Sequence, residues 1–269
     1  MERWVVSDEL STDLDDVQSV VVRIVAGDVT VTAGEKSRVE VRRLSGADVY
    51  VESRDGVLHV AQPDPDIAPI ERFLKMFTEG SRHRCTVAIT AAPGAKISIT
   101  TVSAEVVASG FGGGCNVKTV SGEVTLSRFG KDVDVKTVSG DIQVKDVSGG
   151  LKLKTVSGEV GVVDGSCRWV DAKSVSGDVL LDLDLDPSGT YDVSTVSGDV
   201  AIRTISEPNL SVDAKSVSGR LTTDFGIEWN VKPGKRHLSE TIGSGGARLW
   251  VKTVSGDLRV LRGRQGAAA

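Results

Sequence analysis

Three histidines, His59, His83 and His237, and three cysteines, Cys85, Cys115 and Cys167, are the groups in this 269-residue chain best suited to hold a metal or attack a carbonyl. Neither set is spaced for the work. The cysteines are odd in number, far apart and without a C-x-x-C pair, and the histidines lack ligand spacing, so free thiols are expected and no metal or cofactor site. Carboxylates make a better case. Glu123, Asp141, Glu159, Asp178, Asp199 and Asp257 recur at one repeated position, and a polysaccharide lyase on a coiled scaffold would use such a cluster to hold calcium beside a base. Yet each copy stands beside the same lysine, so nothing singles out one of them as a reaction centre. G-x-S-x-G, H-E-x-x-H and phosphate-loop strings are missing, and the glycine-rich GFGGG at Gly110–Gly114 leads into a strand pattern rather than a helix. The chain is expected not to be an enzyme.

The elements that carry these groups repeat. Val-Ser-Gly-Asp/Glu or a near copy begins at Val102, Val120, Val138, Val156, Val175, Val196, Val217 and Val254, in steps of 18, 18, 18, 19, 21, 21 and 37 residues. A steady period near 20 residues marks a stacked-repeat protein. Aligned on the motif, the copies yield apolar columns: Val117, Val135, Leu153, Ala172, Val193, Ala214, Val251; Val124, Ile142, Val160, Val179, Val200, Leu221, Leu258; and Leu126, Val144, Val162, Leu181, Ile202. Within a copy these positions lie two apart, the strand period. Units this short cannot bury an apolar face alone and must stack, each strand bonding its equivalent about 4.8 Å away. The expected fold is all-β, a parallel β-solenoid with coils of 18–21 residues, one short helical insertion and one long loop insertion. Ser121 and its equivalents would form a hydroxyl column, and Gly122 and its equivalents would allow a tight bend with unusual backbone angles.

Along the chain, residues 1–14 are an N-terminal segment and 15–60 degenerate coils, with Val25 and Leu44 at the motif-valine position. Residues 61–84 interrupt with three prolines and a short helix whose Ile70, Phe73, Leu74 and Phe77 share one face. That face either caps the solenoid or docks a partner. Regular coils fill 85–223. Residues 224–248 form a loop insertion with Trp229, Lys232, Lys235 and Arg236, a second candidate partner surface; 249–261 make the last coil and 262–269 a disordered tail. Parallel solenoids end in unpaired strand edges, so the terminal VSGDLRVLRGR is the candidate for end-to-end self-association.

Lys118, Lys136, Lys154 and Lys173 align into a candidate charged rail, offset by the acidic column across the corner. The overall charge of −5 argues against a nucleic-acid partner. Aromatics are only 4% of residues, and Trp169 and Tyr191 fall near a strand entry, where core or rim filling is expected over sugar stacking. No apolar run is long enough to insert directly into a membrane, and the acidic start MERWVVSDELSTDLDD leads to the expectation of a cytoplasmic protein.

The T-V-S-G-D/E units, together with Val22–Val31, A-A-P-G-A at Ala91–Ala95 and I-G-S-G-x-x-x-L-x-V-K-T-V-S-G-D-L at Ile242–Leu258, resemble the bacterial "putative adhesin" or toastrack family of unknown function. The resemblance implies a β-solenoid, an interaction or sensing role that in some members is tied to membrane-stress signalling, and no catalytic residues. The expected function is a scaffold or protein-interaction module, binding a protein partner or itself. The alternatives are a cell-surface adhesin or carbohydrate binder and, further off, a solenoid lyase.

Overall fold

Valine, leucine and isoleucine two apart, on segments too short for helices and punctuated by glycine, fold here as short strands that alternate buried and exposed residues. The computed structural model describes residues 1–62, 83–204, 209–225 and 237–262. It divides into two units, residues 1–129 and 130–269. Every regular element among the described residues is a strand, and among them no helix is long and apolar enough to cross a membrane. The expected helix carrying Ile70, Phe73, Leu74 and Phe77 lies outside the described residues, as do Trp229, Lys232, Lys235 and Arg236.

The first unit holds β1 (Glu2–Val6), β2 (Glu9–Leu14), β3 (Ser19–Ala33), β4 (Ser37–Ser45), β5 (Val49–Arg54), β6 (Val57–Ala61), β7 (Arg84–Ala91), β8 (Lys96–Ser109), β9 (Cys115–Lys118) and β10 (Val124–Phe129). β3 and β8 are whole coils, pairing in parallel from Ser19 opposite Lys96 to Thr32 opposite Ser109. On the other side of β3 lie β6, parallel to its first half, and β7, parallel to its second, so β6 and β7 are the two sides of one coil.

Beyond them the direction changes. β5 runs antiparallel to β6 and β4 antiparallel to β7, and then β1 and β2 run antiparallel to β5 and β4. The stretch from Val39 to Val51 is therefore a reversed coil rather than a degenerate forward one, and Leu44 does not share the column of Val25. The hairpin between β5 and β6 explains the reversal: Asp55 and Gly56 both have positive φ, 51° and 74°, the two-residue turn that matches strand twist. Residues 2–14, set apart in the sequence reading, add a strand to each sheet.

The second unit holds β11 (Val133–Lys136), β12 (Ile142–Val147), β13 (Leu151–Lys154), β14 (Val160–Lys173), β15 (Val179–Ser194), β16 (Val200–Thr204), β17 (Leu210–Ser216), β18 (Leu221–Thr223), β19 (His237–Ile242), β20 (Ala247–Thr253) and β21 (Leu258–Arg262). Its inner columns match the alignment: Val135, Leu153, Ala172 and Val193 on one sheet, Ile142, Val160, Val179 and Val200 on the other, all buried. Each valine, leucine or isoleucine among them contributes about 1.5–3 kcal/mol by leaving water.

The stacking order at the end of this unit departs from chain order. β20 pairs with β15 on one edge and β17 on the other, and β21 lies between β16 and β18. The coil of residues 247–262 is thus threaded between the coil ending at Thr204 and the coil of residues 210–223. The column order becomes Val193, Val251, Ala214. This corrects the expectation that VSGDLRV forms a free edge: Leu258 N–H donates to Arg220 C=O at 2.8 Å, and Asp257 C=O accepts from Val200 N–H. Among the described residues the edge is instead made by β19, antiparallel to β17, and by the three-residue β18. Deleting residues 244–269 should therefore not merely shorten the stack; β17–β19 lose their bed, and limited proteolysis is expected to cut within 210–223 and 237–242 while sparing 133–194.

Candidate functional site

Each corner of the second unit reads Thr/Ser-Val-Ser-Gly, and parity along the incoming strand sets where each side chain points. Val135 faces in, Lys136 out, Thr137 in and Val138 out. The hydroxyl column that matters is therefore the buried one at Thr137, Thr155, Ser174 and Ser216, where Oγ accepts the N–H of the glycine three residues on at 2.8–2.9 Å. The serine column of the motif is mostly exposed and contributes backbone N–H: Ser157, Ser176, Ser197, Ser255 and Ser218 each donate to the valine carbonyl of the coil below at 2.8–3.0 Å.

Gly122 has the unusual backbone angle expected, with φ of 122°, but the glycine column of the second unit has a different cause. In the second unit its members do not have positive φ; a Cβ on Gly177 would stand 1.8 Å from Gly158 O, and one on Gly219 1.7 Å from Gly256 O. Close approach of the coil below demands glycine there. Left-handed backbone falls instead at Arg128, Asp146 and Asp164, with φ of 54–58°, spaced 18 apart at the opposite corner. Aspartate, which tolerates this conformation, stands at two of the three positions.

The acidic motif position also has a structural use. Asp141, Asp178, Asp199 and Asp257 each accept, through Oδ1, the backbone N–H of the next coil's equivalent residue at 2.8–2.9 Å. The lysine column is offset not by these groups but by aspartates on its own face. Lys136 pairs with Asp134 at 3.4 Å, Lys154 with Asp171 at 3.7 Å, and Lys173 with Asp171 at 2.8 Å and Asp192 at 3.9 Å. Asp171 raises the Lys173 pKa above its ordinary value, chiefly by hydrogen bonding. Such exposed pairs add little stability, but they leave no bare cationic rail in this unit. Ser194 breaks the column between Lys173 and Lys252. Lys118, in the first unit, stands opposite Thr100.

What the corners do expose is apolar. Val138, Val156, Val175, Val196, Val254 and Val217 stack in that order as a ridge of six valines, each 43–69% exposed. At about 4.8 Å per coil the ridge runs about 24 Å. Counting by twos from Val135 would have placed these valines outside, a signal that the motif's uniformity hides.

Tyr191 fills the core column between Val170 and Leu249, its hydroxyl donating to Cys167 C=O at 2.7 Å and accepting from Asp186 N–H at 2.8 Å. All three cysteines are buried and unpaired, and burial pushes each thiol up to about 12. Among the described residues no cluster of histidine, cysteine and carboxylate groups could hold a metal.

Residues 16–261 match the profile of the family described as Toastrack DUF4097. No curated protein matches the chain. Solved structures share its fold at low identity. One described as a "putative adhesin" from Bacteroides fragilis is 12% identical with a TM-score of 0.50, over 94% of this chain and 97% of that one. A "putative lipid binding protein" from Parabacteroides distasonis is 13% identical with a TM-score of 0.53, over 95% and 97%. A "putative adhesin" from the same species is 14% identical with a TM-score of 0.50, over 94% and 95%.

Two outcomes follow from the corner and the thiols. Thr155→Val keeps the shape but leaves the buried Gly158 N–H without its acceptor, and urea denaturation should show a loss of about 1–3 kcal/mol. The native thiols should resist a disulfide reagent at pH 8 and react on unfolding. Since an unfolded thiol ionises near 9.0 and the folded ones near 12, stability should fall as pH rises between those values.

Proposed function

The chain belongs to the Toastrack family, and from that premise we propose that it is a non-catalytic scaffold that binds another protein along the valine ridge of its second unit, in the cytoplasm. The ridge carries the reading. Soluble proteins seldom leave a contiguous apolar strip in water unless something covers it, and here the strip is rigid, backed at every step by a coil-to-coil hydrogen bond. Its flanks are suited to a partner as well. Lys136, Lys154 and Lys173 beside it are already paired with aspartates, so docking along that stretch does not strand a desolvated charge.

The absence of catalysis in this reading is supported by what the carboxylates do. Asp141, Asp178, Asp199 and Asp257 each have an oxygen tied to the next coil's backbone, which uses them as fixed structural acceptors. Three free thiols go with a reducing compartment.

The test is the full chain with Val156→Asp and Val196→Asp together, both outward-facing, so that thermal unfolding stays within a few degrees of the parent. Proteins crosslinked to the parent in a cell extract should be lost from the variant, and light scattering at several concentrations reports whether the partner is a second copy. An unchanged crosslinking pattern removes the ridge from consideration. Recovery of the parent with the cell envelope in fractionation would move the reading to attachment at a surface.

A further inference from the structure

A hollow of about 410 Å³ opens on the second unit, away from the valine ridge, lined by Asp132, Ser148, Ser166, Arg168, Trp169 and Asp186, with Gly149 and Gly150. Its origin is a local break in the columns. Trp169 precedes Val170, whose partner is Leu151, so the residue next to it in the coil below is Gly150. A Cβ on Gly150 would stand 1.9 Å from Cε2 of the indole, so the ring lies directly on glycine backbone. Gly150 leaves room for the ring, and Gly149 lets the backbone approach the coil below, where a Cβ would stand 2.2 Å from the Lys131 carbonyl carbon. The indole is half-buried, and its N–H donates to no group among the described residues.

Two carboxylates are anchored on the lining. Asp132 Oδ1 accepts from Gly150 N–H at 2.9 Å, leaving Oδ2 without a partner among the described residues. Asp186 Oδ1 accepts from Ser188 N–H at 2.8 Å and from its hydroxyl at 2.7 Å, which holds its pKa below the ordinary value. Asp186 is fixed from behind as well, its own N–H donating to the buried Tyr191 hydroxyl. Arg168 is 78% exposed, with Nε 4.0 Å from Asp186 Oδ2, near enough to balance that charge and free to extend its fork. Ser148 and Ser166 are exposed.

We infer that this hollow binds a neutral sugar residue of a glycan, with the ring's C–H face on Trp169 and its hydroxyls shared between Asp132, Asp186 and Arg168. An indole offers a large apolar surface with little entropy to lose, and a pyranose presents C–H groups on its faces with hydroxyls around the rim. Paired carboxylate and guanidinium groups accept and donate to vicinal hydroxyls without requiring a ligand charge. The two alternatives fit less well. An anion meets two carboxylates, and a cation meets the guanidinium already seated beside Asp186. The volume lies within the range of small-ligand sites.

The experiment is saturation-transfer NMR on the full chain with millimolar maltose, cellobiose, lactose, mannobiose and chitobiose, and with tetramethylammonium as a cationic probe. At least one disaccharide should show transfer from the protein, with affinity at least tenfold weaker in Trp169→Ala. Arg168→Gln, at an exposed position no backbone depends on, and Asp132→Asn, which keeps the acceptor for Gly150 N–H, should each weaken it severalfold without changing the melting temperature. Transfer to none of the sugars, transfer that survives all three substitutions, or transfer to tetramethylammonium alone would overturn the assignment. Valine-ridge variants should leave sugar binding unchanged, which keeps this result separate from the partner assay.

Discussion

The second unit depends on one close approach, the carbonyl of each corner glycine lying under the next glycine where a Cβ would collide with it. The gaps to a built Cβ are 2.0 Å at Gly158, 1.8 Å at Gly177, 2.2 Å at Gly198, 1.9 Å at Gly256 and 1.7 Å at Gly219. Any side chain would pry two coils apart, and with them the neighbouring bonds from serine N–H to valine carbonyl. The rest of the motif serves this contact. The buried Thr or Ser hydroxyl takes up the glycine N–H, which the bend would otherwise leave unpaired in a dry interior. The aspartate ties the far side of the corner to the coil above. Repetition of the threonine or serine, glycine and aspartate positions therefore has a packing cause, whereas the valine side chain points into water and only its backbone carbonyl takes part in the stack.

That division sets where binding can reside. Columns that stack must stay uniform, so they offer the same chemistry at every coil and favour a partner that reads length or apolarity. Specific small-ligand chemistry needs a departure from the column. Gly149, Gly150 and Trp169 make such a departure, exchanging a filled surface for a hollow with an aromatic wall. The two surfaces thus arise from opposite properties of one repeat.

The inner face was largely legible in the residue order. Alternation assigned the columns of Val135, Ile142 and Val144 correctly because the register of parallel coils is enforced at every step by hydrogen bonds and by burial on one side. Three matters were not legible. Coil order was hidden because VKTVSGDL and AKSVSGRL present nearly the same inner face, so periodicity cannot say which of them rests on the coil before. The reversal at β4 and β5 was hidden because a strand alternates identically in either direction, and only the Asp55–Gly56 turn signalled it. The pairing of Lys154 with Asp171 joins different coils, and spacing along the chain does not report neighbours across a coil boundary. The partner surfaces expected around Phe73 and Trp229 fall outside the described residues, so the functional reading now rests on the corners themselves.

The threaded coil of residues 247–262 places the order of synthesis at odds with the order of stacking. A growing chain delivers residues 210–223 to the ribosome surface before the layer on which they must rest has been made. Until residues 247–262 emerge, the strand edges of Tyr191–Ser194 and Val200–Thr204 stay open, with apolar columns bare at their ends. Such edges are templates for stray strands. The nascent chain thus passes through an interval, some forty residues long, in which those edges lack the coil that covers them in the finished stack.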